Sequence, residues 1–184
     1  LNITIKAYYG NTGIEETHVI EVYKIYKEAL EKGSVLFYGG HSGLGGNLDL
    51  EMIEEQVGKI RFAVNDYQIM FFDSCSSYPY YTQMYFSKKV TAKDKVGSKN
   101  LDIITNGLAS YFVRNNVSIA TLLNVINSAY EENKIYSWQE AIDYMHAAQM
   151  AIEPSLSGHL LSVSGDEDNS SVAPKMAVDL NKTV

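Results

Sequence analysis

One histidine and the chain's single cysteine each follow an apolar run. His41 lies in the glycine-rich segment VLFYGGHSGLGGN (35–47), and Cys75 follows the apolar letters IMFFDS. A cysteine attacks as its thiolate, which a neighbouring imidazole can generate or stabilise. The oxyanion that then forms needs fixed hydrogen-bond donors, which the backbone N–H groups of Ser42, Gly43 and Cys75 can supply. These residues predict nucleophilic catalysis on a carbonyl group, with Cys75 as nucleophile and His41 as base.

Ser42 is a second candidate nucleophile. A serine-hydrolase elbow follows the pattern G-x-S-x-G, but the letters GHSGL at 40–44 lack the last glycine. The glycines after Ser42 are also a poor start for the helix that an elbow needs. His159 with Asp102 or Asp143 would complete a serine triad. A serine hydrolase is therefore kept as an alternative.

Alternating strand and helix patterns surround these residues and predict a mainly parallel sheet covered by helices on both faces. The predicted strands are 2–10, 34–40, 67–75, 101–107 and 158–165, and the strand at 34–40 is expected to be buried on both faces. The predicted helices are one that starts at a capping box over 12–15 and ends at Gly33, followed by 47–60, 77–89, 117–131 and 137–151. A polar loop is expected over 91–100.

This arrangement places the chemistry at one edge of the sheet. Catalytic groups of such folds collect at the carboxyl ends of the parallel strands. His41 and Cys75 each follow such an end and are separated by one predicted helix. If their two strands are neighbours joined by a right-handed crossover, the two side chains open onto the same edge.

Composition limits the classes of partner. We expect one domain over 1–165 and a loosely held tail over 166–184. With 22 acidic and 15 basic residues, the net charge of -7 argues against a nucleic-acid partner. No apolar run is long enough for a membrane span. The spacing of His, Cys and carboxylate residues predicts no metal site, and no cofactor is expected.

The paired blocks VLFYGGHSG and IMFFDSCSS, with the following LDIITNG, resemble the caspase–gingipain–clostripain–legumain group of cysteine peptidases, clan CD. The resemblance covers roughly residues 1–112 and is closest to the bacterial clostripain-like members, because Asp73-Ser74-Cys75 stands where caspases have QAC. It implies a caspase-like three-layer α/β/α sandwich and a His41–Cys75 dyad without an essential third acid. It also implies more strands before the cysteine, so association with a missing amino-terminal portion is expected.

Substrate choice in that group depends on the loops after the cysteine strand and the next strand. The candidate pocket residues in these loops are Asp73, Ser77, Tyr78, Thr105 and Asn106. An acid there favours Arg or Lys before the scissile bond, whereas the other interpretation of Asp73 is a structural acid that binds loop N–H groups.

The sequence thus predicts a cysteine endopeptidase that acts on polypeptides through a thioacyl-enzyme. The first alternative is a non-catalytic peptide-binding or scaffolding domain of the same fold. The compartment stays open, with a secreted or periplasmic location favoured over a cytoplasmic one.

Overall fold

The computed structural model describes residues 3–8, 16–154 and 161–168. Its strands are β1 (Val35–Gly40), β2 (Gln68–Ser74), β3 (Leu101–Asn106) and β4 (Leu161–Ser164). Its α-helices are α1 (Glu16–Lys32), α2 (Leu50–Val57), α3 (Tyr78–Lys89), α4 (Phe112–Glu131) and α5 (Trp138–Ile152). Shorter 3-10 turns cover Gly43–Leu48 and Asp166–Asp168.

The four strands form one open sheet in the order β1-β2-β3-β4. The first three strands are parallel, and β4 pairs with β3 in the antiparallel direction. The prediction of a mainly parallel α/β sheet is therefore confirmed, as is the expectation that the strands before His41 and Cys75 are neighbours.

Helices cover both faces of the sheet because the strands bury apolar side chains on both sides. One face packs against α1, α2 and α3 through a cluster that includes Leu30, Ile53, Met70, Phe72, Tyr81, Tyr85 and Ile103. The other face packs against α4 and α5 through Phe71, Ile104, Leu122, Trp138 and Met145, among others. Every residue of β2 is buried, as its apolar run predicts for a central parallel strand.

Two strand predictions need correction. Residues 3–8 form no strand, and Ile3 and Ile5 are largely exposed. Alternation of apolar and polar residues is not sufficient for a strand, because a strand also needs a neighbouring strand to complete its hydrogen bonds. The predicted residues 2, 9 and 10 lie outside the described ones, as does the capping box at 12–15. β1 forms as predicted but is not buried on both faces, because it is the outermost strand of the described sheet.

Two predicted helices begin at other residues than the sequence pattern indicates, and the predicted tail is described only in part. α2 begins only at Leu50, because the Asp49 side chain accepts the Met52 N–H at 2.9 Å and caps the helix there. α4 begins five residues before the predicted 117. Of the predicted tail over 166–184, only 166–168 are described: they form a 3-10 turn in which Asp166 is buried, and 169–184 lie outside the described residues.

The buried side chain of Lys89 joins the end of α3 to the residues at the starts of β2 and β3. Only 1% of the residue is exposed, and its Nζ donates to the carbonyl oxygens of Asp66 and Asn100, both at 2.8 Å, and to Gln68 Oε1 at 3.0 Å. Burial lowers the pKa of this ammonium group to about 8, against the opposing effect of the nearby carboxylates of Asp66 and Asp94.

We predict that Lys89 gives the fold a pH-dependent stability. Below pH 8 the Lys89 amine is protonated in both the folded and the unfolded chain. Between pH 8 and the pKa of about 10.4 that a lysine has in the unfolded chain, only the unfolded chain keeps this proton. The free energy of unfolding should therefore rise by up to about 2 kcal/mol between pH 8 and 10. Urea unfolding across this range measures the rise, which Lys89→Met should abolish and Lys88→Met should leave intact. An unchanged slope in Lys89→Met would contradict the assignment.

Candidate active site

His41 and Cys75 follow the carboxyl ends of adjacent parallel strands. The β1–β2 register pairs Gly40 with Ser74, the last residues of the two strands. His41 and Cys75 are the residues that come directly after them. His41 is exposed and Cys75 is half-buried. Among the described residues, no hydrogen bond joins the two side chains. The backbone thus brings an imidazole and a thiol to one edge of the sheet without coupling them directly.

The main chain of His41 is held by two side chains. The Tyr38 hydroxyl donates to the His41 carbonyl oxygen at 2.8 Å, and Asn47 Nδ2 donates to the same oxygen at 2.7 Å. The imidazole packs edge-on against the Phe112 ring, with 4.9 Å between ring centroids and 79° between planes. The backbone of His41 is therefore fixed from the β1 side, and its ring from the start of α4.

The residues after His41 form a tight turn that leaves backbone donors available. Within the described chain, no backbone carbonyl outside the helices and strands accepts from the N–H groups of Ser42 or Gly43. The turn itself is held because the Ser42 carbonyl accepts from the Tyr81 hydroxyl at 3.0 Å and from the Gly45 N–H at 2.9 Å. The N–H groups of Ser42 and Gly43 are therefore available as two of the predicted oxyanion donors.

Cys75 contacts the segment that joins β3 to α4. The Ser110 N–H donates to Cys75 Sγ at 3.4 Å, and Sγ lies 3.8 Å from the Ser110 carbonyl oxygen. Next to the cysteine, Ser76 adopts a positive φ of 47° and donates its N–H to the Leu108 carbonyl at 2.8 Å. α3 begins three residues after Cys75, so the positive end of that helix lies close along the chain.

Four of the five predicted pocket residues are buried: Asp73, Ser77, Thr105 and Asn106 are each 0% exposed, while Tyr78 is 53% exposed. Their hydrogen bonds hold strands and loops together. Ser77 Oγ donates to the Phe72 carbonyl and accepts the Asn106 N–H, and Thr105 Oγ1 lies 3.2 Å from Ser162 Oγ. Asp73 Oδ1 accepts from the Ser110 hydroxyl at 2.8 Å. Of the predicted set, only Tyr78 presents its side chain to solvent.

An open cleft of about 400 Å³ lies next to these buried residues. Its lining consists of Tyr78, Gly107, Ser162, Val163, Ser164 and Glu167. Tyr78 and Gly107 come shortly after β2 and β3 along the chain, and Ser162, Val163 and Ser164 lie on β4. The strand pattern places β4 correctly but does not indicate that it borders a cleft.

The acids considered for a serine triad are distant from Ser42 or exposed. Asp102 pairs with Ile69 near the start of β2, about 15 Å along the strands from the edge where Ser42 lies. Its Oδ2 accepts from Tyr67 Oη and from Trp138 Nε1. Asp143 lies exposed on α5 and accepts from Gln139 Nε2. His159 lies outside the described residues.

Sequence reasoning missed Ser110 and Phe112, the residues that contact Cys75 and His41. They follow the carboxyl end of β3, the same kind of position that drew attention to the dyad. Applying that rule to the third parallel strand would have included the letters GLASYF.

Comparison of the chain with family models, with curated proteins and with solved structures finds no match. No helix in the described ranges is long and apolar enough to span a bilayer. The described part of the chain also contains no group of three or more His, Cys, Asp or Glu side chains suited to a metal ion.

Proposed function

We propose that this chain is a caspase-like cysteine endopeptidase with Cys75 as nucleophile and His41 as general base and acid. The observation that supports this most is the register of β1 and β2, in which Gly40 pairs with Ser74 and the two candidate residues come next. A four-stranded sheet with three parallel strands and helices on both faces is compatible with the caspase-like sandwich.

The proposed reaction uses only groups at this edge. His41 takes the proton of the Cys75 thiol, and the thiolate attacks the peptide carbonyl carbon to form a C–S bond. The N–H groups of Ser42, Gly43 and Cys75 stabilise the resulting oxyanion. The oxyanion collapses, the C–N bond breaks, and the imidazolium gives its proton to the leaving amine. Water then attacks the thioester with His41 as base, the C–S bond breaks, and the carboxylic acid leaves.

The first prediction from this proposal concerns the reactivity of Cys75. A positioned imidazole should make the thiol react with iodoacetamide at pH 7 about tenfold faster in the folded protein than in the urea-unfolded chain. Mass spectrometry of the time course measures both rates, and Cys75→Ala should take up no label.

The other outcomes of this experiment separate the alternatives. If Cys75 reacts no faster when folded, the peptidase proposal fails and a peptide-binding domain of the same fold becomes the better interpretation. A fluorophosphonate adduct on Ser42 would support the serine-hydrolase alternative instead.

A second prediction concerns the residue that precedes the scissile bond. Glu167 is an acid in the lining of the cleft, and the described lining residues include no base, so we propose that the cleft takes an Arg or Lys side chain. Peptidyl acyloxymethyl ketones with Arg or Leu next to the reactive group should distinguish the two classes of substrate. Glu167→Gln should slow labelling by the Arg probe about fivefold and leave the Leu probe unchanged. Glu55→Gln, which removes an exposed acid from α2, is the matched control.

Two results of the probe experiment would contradict the proposal that Glu167 selects a basic side chain. Equal slowing of the Arg and Leu probes in Glu167→Gln would show that the residue shapes the cleft and does not select charge. Preference of the wild-type protein for the Leu probe would contradict the proposed substrate class while leaving the Cys75 chemistry intact.

A further inference from the structure

Residues 108–112, which lead from β3 into the first residue of α4, contact both members of the candidate dyad. At one point of this segment the Ser110 N–H donates to Cys75 Sγ at 3.4 Å. Two residues later the Phe112 ring packs edge-on against the His41 imidazole. A single short segment therefore touches the proposed nucleophile and the proposed base.

The segment is anchored to the ends of β2 and β3. The Ser110 hydroxyl donates to Asp73 Oδ1 at 2.8 Å, and Asn115 Nδ2 donates to the Asp73 carbonyl at 3.1 Å. The Leu108 N–H donates to Asn106 Oδ1 at 3.1 Å. Asp73 is fully buried, so the position of Ser110 is set by the interior of the fold.

The His41 ring depends on this segment more than its backbone does. No described residue forms a hydrogen bond with the imidazole, whereas Tyr38 and Asn47 both hold the His41 carbonyl. The edge-on contact with Phe112 is the ring contact seen for this imidazole among the described residues. The imidazole needs a restricted orientation, because proton transfer requires it to face the thiol.

We propose that residues 108–112 position the dyad, with Asp73 acting through Ser110 on the thiol and Phe112 acting on the imidazole. This inference rests on the proposed peptidase function and deepens it. The Ser110 N–H donates to Cys75 Sγ at 3.4 Å and so fixes where the sulfur lies. Asp73 is then a positioning residue at the nucleophile, and substrate selection belongs to the cleft at Glu167.

Iodoacetamide alkylation of Cys75 in single and double variants tests the inference. Ser110→Ala and Phe112→Ala should each slow alkylation about tenfold at pH 7. Ser110→Thr, which keeps the hydroxyl, should recover most of the rate. Val113→Ala removes an apolar side chain of similar exposure from the same turn of α4 and should match the wild type. Circular dichroism of each variant verifies the fold, and Asp73→Asn weakens the same hydrogen bond if Ser110→Ala fails to fold.

The His41→Ala background separates positioning from a structural effect. Phe112→Ala should slow alkylation no further there, because it acts through the imidazole, whereas Ser110→Ala should slow it in both backgrounds. If His41→Ala slows alkylation but Ser110→Ala and Phe112→Ala behave like Val113→Ala, the positioning role is overturned and the peptidase proposal stands. If His41→Ala has no effect, the dyad itself fails, and the role of Phe112 fails with it.

Discussion

Replacement of His41 by alanine is expected to lower kcat/KM for peptide hydrolysis by roughly 10³-fold, within the range that general acid–base catalysis contributes. The loss should be this large because, in the proposed reaction, one imidazole serves two steps, activation of the Cys75 thiol and protonation of the leaving amine. A fluorogenic peptide with Arg before the cleaved bond, assayed at saturating and limiting concentrations, measures kcat and KM separately. The loss should appear in kcat, because His41 acts on the reacting atoms.

The same substitution should leave the fold intact. The His41 side chain is exposed, and no described residue forms a hydrogen bond with its imidazole, so the free energy of unfolding should change by less than about 0.5 kcal/mol. His146→Ala is the matched control, because it removes an exposed histidine from α5. Unchanged hydrolysis in His41→Ala would refute the dyad, and equal losses in both variants would point to a general effect on the protein.

Strand patterns are sufficient to bring His41 and Cys75 to one edge. Each residue follows a short apolar run, and a single helical pattern lies between the runs, which is the signature of a parallel β-α-β unit. In the structure the two strands end at the same level of the sheet, with Gly40 beside Ser74.

Sequence position alone does not tell which side chains at an edge face solvent. Ser77 follows β2 and Asn106 ends β3, both at the edge that the pattern indicates. Both are buried, and the hydrogen bond from the Asn106 N–H to Ser77 Oγ joins the two strand ends. Whether a polar residue points inward depends on which hydrogen-bond partners tertiary packing supplies, and that information is not local. The role of Ser110 was missed for the same reason, because its partners Asp73 and Cys75 lie on another strand end.

An alternating pattern of apolar and polar residues also fails to predict a strand where no second strand pairs with it. The alternation in residues 3–8 is as clear as that of a real strand, but a strand forms only where a second strand completes its hydrogen bonds. In β2, by contrast, partners on both sides and helices on both faces enforce the predicted structure.

The second large effect is expected at a glycine beside the dyad. Gly43 has a φ of +56°, and a Cβ there would lie 2.4 Å from Asn47 Oδ1. Gly43→Ala should therefore displace the Asn47 side chain, whose Nδ2 holds the His41 carbonyl at 2.7 Å. The same change strains the backbone that carries the Ser42 and Gly43 N–H groups. Loss of aligned oxyanion donors costs about 10²-fold in kcat, which is the loss we expect for this variant.

Gly46 provides the comparison, because the two glycines lie three residues apart in one turn. A Cβ at Gly46 meets nothing within 4 Å, so Gly46→Ala should keep both the kcat and the stability of the wild type. Gly43→Ala should lower the free energy of unfolding by only about 1 kcal/mol, since the turn is on the surface and the strain is local. A 10²-fold loss of kcat with so small a loss of stability would locate the damage in this turn, which carries the Ser42 and Gly43 N–H groups and holds the His41 carbonyl through Asn47. Equal kcat values in the two variants would instead show that this turn plays no part in the reaction and that the Cys75 N–H acts without it.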